Sequence, residues 1–134
     1  VTVFVDTSAL VALIDGSDER HAASVEELAA LRGERHASLR THEYVVVEAI
    51  SLLQRRAGMP AVRLLIDALL PAIDVRWIDR DTHIVARDAW VAAGRRRVSF
   101  VDHVSFAVMR DEGIVRAFAF DRDFADEGFS VIPG

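Results

Sequence analysis

The stretch Thr2–Ile14, TVFVDTSALVALI, decides how the rest of the chain is read. Its opening, Thr2 to Val5, is β-branched and aromatic, which suits a short buried strand. Asp6-Thr7-Ser8 interrupts the run, and Ala9 to Ile14 continues as an apolar stretch, so the segment reads as strand, turn, helix. Asp6 then stands at the carboxyl end of the first strand.

The same alternation continues along the chain. Asp18 to Leu31 carries Ala22, Val25, Leu28, Ala29 and Leu31 at helical spacing and ends at Gly33. Ala37 to Arg40 reads as a strand, and Thr41 can cap a long helix that runs to Arg56 and stops at Gly58. Pro60 suits a first turn, with Val62, Leu65, Ile66, Leu69 and Leu70 following until Pro71. Asp74 to Ile78 is expected as a strand, Thr82 to Ala93 as a helix, and Arg95-Arg96-Arg97 as a basic loop before a helix from Phe100 to Glu112. Arg116 to Phe120 reads as a strand, Asp121 to Gly128 as a loop, and Phe129 to Ile132 as a last strand. Strands alternating with helices predict an α/β/α sandwich around a parallel sheet of four to five short strands. Ligands of such sheets bind beyond the carboxyl ends of the strands.

Length and composition set the bounds. A chain of 134 residues, 51% hydrophobic and 28% charged, fits one globular domain over 1–134 with no run long enough to span a membrane. The first residues lack the pattern of a signal peptide, so a cytoplasmic location is expected. With no cysteine, and five histidines at no metal-ligand spacing, any metal would be hard and held by oxygen. All 16 basic residues are arginine, and the formal charge of −5 argues mildly against nucleic-acid binding.

Four acids stand out. Asp6 and Asp121 each follow a predicted strand, where Asp6 could equally cap a helix and Asp121 form a turn. Asp102 lies in Ser99-Phe100-Val101-Asp102, a capping-box spacing that is compatible with metal binding. Glu48 sits within the apolar stretch Tyr44 to Leu53, where an ionised carboxylate is costly unless it is metal-bound or paired with a buried arginine. Helix-dipole complementarity accounts for Glu43, Asp79 and Asp81, whereas Asp123 is close enough to Asp121 to assist it. Carboxylates without Cys or Lys nucleophiles suit Mg²⁺ or Mn²⁺ and metal-activated water, and so phosphodiester hydrolysis.

These residues carry a resemblance over nearly the whole chain. Val5-Asp6-Thr7-Ser8-Ala9-Leu10, the Glu48 helix with Leu52-Leu53-Gln54-Arg55-Arg56, Ser99-Phe100-Val101-Asp102, Ser105-Phe106-Ala107-Val108-Met109 and Phe120-Asp121-Arg122-Asp123-Phe124 resemble the PIN-domain ribonucleases, and within them the VapC toxins of toxin-antitoxin pairs. The resemblance implies a single PIN domain with a Rossmann-like fold. It places the family's acids on Asp6, Glu48, Asp102 and Asp121, with Asp123 auxiliary and hydroxyls at Thr7 and Ser99 orienting a carboxylate or water. It further implies Mg²⁺-dependent endonucleolytic cleavage of RNA that leaves a 5′-phosphate and a 3′-hydroxyl. A homodimer and a VapB-like antitoxin partner are implied as well, for which the apolar faces of Ala61 to Leu70 and of the first two helices are candidate surfaces. His103 departs from the small residue expected there. It is read as a polar residue on the outer side of its helix or as a substrate contact.

RNA contacts are expected from Arg95, Arg96 and Arg97, with Arg55 and Arg56 second because a helix C-terminus also accounts for them. No aromatic stacking array is visible. Two rival classes remain. A phosphotransfer or receiver-type domain ordinarily needs the lysine that this chain lacks, and a catalytically inactive PIN-like binding module would not need all four acids.

Overall fold

The computed structural model describes residues 1–134. Its strands are β1 (Thr2–Val5), β2 (Ser38–His42), β3 (Asp74–Arg76), β4 (Arg116–Phe118) and β5 (Ser130–Ile132). They form one all-parallel sheet in the order β3-β2-β1-β4-β5. Seven helices flank it: α1 (Thr7–Ile14), α2 (His21–Gly33), α3 (Glu43–Ala57), α4 (Met59–Leu64), α5 (Arg80–Ala93), α6 (Phe100–Glu112) and α7 (Asp123–Asp126).

The central strand is the one on which the sequence reading began. Val3, Phe4 and Val5 are fully buried, because β1 has a neighbour on each side and helices over its faces. From β1 the chain builds outward to β2 and β3, then returns to lay β4 on the opposite side of β1. The strand order therefore reverses between β1 and β4, which opens a crevice beyond their carboxyl ends. The core that fixes this arrangement joins Phe4, Leu10, Leu53, Leu65, Phe106, Met109, Phe118 and Phe124.

Several expected boundaries move, each for a local reason. Thr41 does not cap α3: it lies in β2, and its buried Oγ1 donates to the Val5 carbonyl at 2.8 Å. His42 takes the cap instead, its Nδ1 accepting from Val45 N at 3.4 Å. Because Nδ1 accepts, the ring proton sits on Nε2, which donates to Ser105 Oγ at 2.9 Å, and Ser105 donates onward to the Val101 carbonyl. Burial pushes the His42 pKa down to about 3, so this ring is neutral.

The helix expected after Pro60 begins at Met59, continues as a π segment over Leu65–Leu69 and tightens to a 3₁₀ turn at Leu70–Ala72 around Pro71. Strand β3 ends at Arg76 rather than Ile78, since Glu43 Oε1 captures Ile78 N at 2.6 Å. Strand β4 likewise ends at Phe118, because Phe120 N donates to Ser8 Oγ at 3.0 Å instead of joining the ladder. The short helix α7 interrupts the loop expected over 121–128. No helix is long and apolar enough to cross a membrane.

Candidate active site

A cleft of about 260 Å³ opens at the strand-order reversal. Twelve residues line it: Asp6, Thr7, Ser8, Val11, Asp18, Arg20, Glu48, Leu52, Arg56, Ser99, Asp102 and Asp121. Only Val11 and Leu52 are apolar, so this surface is shaped for a charged ligand.

Three of the acids converge. Asp6, Asp102 and Asp121 bring one carboxylate oxygen each to within 4.8 Å of one another. Each is also held by its own local structure. Asp6 caps α1, with Oδ2 accepting from Ser8 N at 3.2 Å and Ser8 Oγ at 2.7 Å. Asp102 Oδ2 accepts from Ser99 N at 3.2 Å while Ser99 Oγ accepts from Asp102 N at 3.0 Å, the reciprocal capping box of α6. Asp121 Oδ1 accepts from Asp123 N at 3.2 Å. Asp121 also shares a contact with the Asp6 carboxyl, so the two acids face each other directly. Capping therefore does not keep these acids apart: each is oriented by its own turn and still converges with the other two.

The electrostatics follow from the crowding. Burial, then the charges of Asp121 and Asp102, push the Asp6 pKa up to about 8 despite the two bonds from Ser8. Burial and Asp121 push Asp102 up to about 6, and burial with the charge of Asp123 raises Asp121. Three carboxylates gathered this closely cannot all ionise comfortably. A hard divalent cation with oxygen ligands fits this donor set and would relieve the repulsion. The buried, unpartnered Thr7 Oγ1 is a further polar atom in the wall.

The remaining predicted residues separate. Glu48 lines the cleft and makes neither hydrogen bond nor ion pair, but it stands outside the close triad. Its arginine-paired alternative is absent. Asp123 opens α7 and acts on Asp121 through its backbone N–H and its charge, without lining the cleft. Arg95 is engaged by Glu127, which also accepts from Arg110 Nη2 at 2.7 Å. Arg95, Arg96 and Arg97 are exposed, and none lines the acidic cleft.

His103 corrects an expectation. It is not on the outer side of α6 but only 8% exposed, edge-on to Phe106 at 5.5 Å, with burial lowering its pKa. Nor does it line the cleft. Sequence reasoning missed Ser8, Asp18 and Arg20 as cleft residues. For Ser8 the available signal was a hydroxyl two residues after a capping aspartate; its Oγ both donates to Asp6 and accepts from Phe120 N, tying the β1–α1 turn to the β4–α7 turn.

A family model described as "PIN domain" matches residues 3–129. The chain is 37% identical over 133 residues to VapC20 of Mycobacterium tuberculosis, a 23S rRNA-specific endonuclease, covering 95% of each protein. The crystal structure of that protein, a sarcin–ricin loop cleaving toxin, superposes with a TM-score of 0.85 over 95% of both chains at 35% identity. Two more distant structures share the fold. They are VapBC2 from Rickettsia felis bound to a promoter DNA fragment (TM-score 0.71, 11% identity, 98% of this chain and 97% of that one) and FitAcB from Neisseria gonorrhoeae (TM-score 0.67, 13% identity, 96% and 95%). The acidic crevice thus lies in a fold whose family is settled by sequence and by structure together: the chain belongs to the PIN-domain family, as a homologue of VapC20.

Proposed function

We propose that this protein is a Mg²⁺-dependent endoribonuclease and the toxin of a toxin-antitoxin pair, with Mn²⁺ able to substitute. The observation that carries the reading is the triad itself: three carboxylates that converge at the reversal of strand order, each oriented by a hydrogen bond from its own turn. Asp6, Asp102 and Asp121 would hold the cation, with Glu48 on the wall of the same cleft as a further acid and Asp123 as an auxiliary. A bound cation supplies charge neutralisation at the phosphate and lowers the pKa of water. The protein's own part is placement. Ser8 and Ser99 keep Asp6 and Asp102 aimed into the cleft, Asp123 N does the same for Asp121, and Thr7 adds a hydroxyl in the wall.

Ribosomal RNA is the first substrate to examine, because the 37% identical relative is a 23S rRNA-specific endonuclease. Arg95, Arg96 and Arg97 are proposed to contact the RNA backbone beyond the cleft, where Arg96 and Arg97 have no carboxylate partner. The kinship with a toxin supports an antitoxin as partner, and a homodimer is proposed as the assembly.

Purified protein, freed of any antitoxin, is expected to cleave ribosomal RNA with Mg²⁺ or Mn²⁺ and to leave 5′-phosphate ends. EDTA or Asp6→Ala should abolish the cleavage. Sequencing of the RNA ends reads the outcome, and cleavage by Asp6→Ala at the wild-type rate would sink the assignment.

A further inference from the structure

The acidic cleft has a basic rim. Of its twelve lining residues five are carboxylates and two are arginines, Arg20 from the loop between α1 and α2 and Arg56 from the last turn of α3. Five arginines outside the cleft, Arg40, Arg76, Arg95, Arg110 and Arg116, are each bonded to a carboxylate at the surface. Arg20 and Arg56 make no side-chain hydrogen bond at all. Each guanidinium therefore presents a fork of unused donors to the cleft, matched in geometry to phosphate oxygens.

Both are nevertheless held in place. Asp18 Oδ1 accepts from the backbone N of Arg20 at 2.8 Å, while Asp18 Oδ2 faces Arg56 Nη1 at 3.9 Å. The first contact fixes the turn that carries Arg20. The second is too long for a hydrogen bond, so it biases Arg56 electrostatically without occupying its donors. The Arg20 guanidinium also lies over the Phe120 ring, 5.7 Å from its centroid. Phe120 directly precedes Asp121, so the stacking sets Arg20 against the loop that carries one of the three acids. On the other wall Glu48, Leu52 and Arg56 recur every four residues and line the cleft as one stripe of α3. Arg56 is two turns from Glu48, about 12 Å along the helix.

We propose that Arg20 and Arg56 clamp the RNA strand by backbone phosphates on either side of the one being cleaved, with Asp18 as their shared positioning residue. A chain with a net charge of −5 gains its phosphate affinity at the cleft from these two groups. The bidentate fork lets them hold the strand in register over the acids rather than merely attract it. The inference rests on the ribonuclease reading of the same cleft.

Its test separates the two. Binding of a fluorescent single-stranded RNA in EDTA, and cleavage in Mn²⁺, would be measured against salt for wild type, Arg20→Gln, Arg56→Gln and the double variant. Both side chains are at the surface, and thermal melting confirms that each variant folds. Each single variant is expected to raise KM by about tenfold with a smaller change in kcat. Each should also lower the slope of log affinity against log salt by about 0.7, the value for one phosphate contact on a single strand. Arg20→Lys and Arg56→Lys should restore the slope, and a bidentate role predicts that they leave KM only partly restored. A double variant that cleaves with wild-type KM and salt slope overturns the clamp while leaving the nuclease intact. Wild type that binds RNA with the arginine-dependent slope but cleaves nothing overturns the nuclease reading and leaves the two arginines as an RNA-binding pair.

Discussion

Asp6 is buried to 3% exposure, caps a helix and stands beside two other acids, and these three facts have one thermodynamic consequence. Its carboxyl holds a proton up to about pH 8 in the fold, whereas in the unfolded chain it ionises near its ordinary value of 3.8. The folded state binds this proton more tightly, so the metal-free protein loses stability as pH rises, by at most about 1.4 kcal/mol per pH unit for a single group. Asp102 contributes in the same direction only up to about pH 6. His42 acts oppositely at lower pH: held neutral with a pKa of about 3, it contributes stability above 6.5 that is lost as pH falls. Between pH 6.5 and 8 the effect therefore belongs to Asp6 and the neighbouring Asp121 that raises it. Thermal melts in EDTA should show the wild type weakening across that window and Asp6→Asn, which keeps a capping oxygen, weakening less. Identical slopes for the two proteins would refute the buried-proton account.

The helices position the site through their ends, and α3 shows how. His42 closes β2, caps α3 and reaches across to Ser105 of α6, so one neutral ring joins the strand to both helices that carry Glu48 and Asp102. His42→Asn preserves the N-cap but removes the Ser105 bond and leaves a small void. It should cost about 2–4 kcal/mol by chemical denaturation, from the lost buried hydrogen bond to Ser105 and the lost packing together. Its loss of stability between pH 6.5 and 4.5 should be shallower than the wild type's, because the titrating ring is gone. A cost under 0.5 kcal/mol would mean that the ring is not the join described. At the same carboxyl edge of the sheet, Ser8 does comparable work between turns rather than helices, holding Asp6 with its proton and Phe120 N with its lone pair.

For the whole molecule, exposed apolar side chains gather in two places. Val85, Trp90 and Val91 stand out from α5, with Trp77 just before it at 79% exposure, and Met59, Leu64 and Ile66 lie on the α4 segment. On the Ala61 to Leu70 stretch, Val62, Leu65 and Leu69 are spent on the core, so only its outer side is free for a partner. The proposed homodimer is expected to bury one of these two surfaces. Light scattering at micromolar concentration should give twice the mass of the 14.8 kDa chain. Val85→Glu with Val91→Glu on α5, or Leu64→Glu with Ile66→Glu on the α4 segment, should return it to monomer. A monomeric wild type would remove the dimer from the proposal.

The sequence by itself determined the alternating βα order, the parallel sheet and the four acids, because period-2 and period-3.6 patterning and strand-end position are local properties. It also contained both duties of Asp6 and Asp102, capping and ligation, without deciding between them. Only the tertiary structure showed that the two capping aspartates converge with Asp121 while keeping their caps, since that depends on which atoms meet across chain separations of about a hundred residues. It likewise moved the cap of α3 from Thr41 to His42, ended β4 early at Phe118 and buried His103, each through a partner distant in sequence. The arginines at the cleft were decided the same way. Arg95 to Arg97 lie near Asp102 along the chain but outside the crevice, whereas Arg20 and Arg56 come from elements that meet only when α1, α2 and α3 pack around β1. Proximity in sequence located the helix start, and chain closure over the sheet chose which charges face the acids.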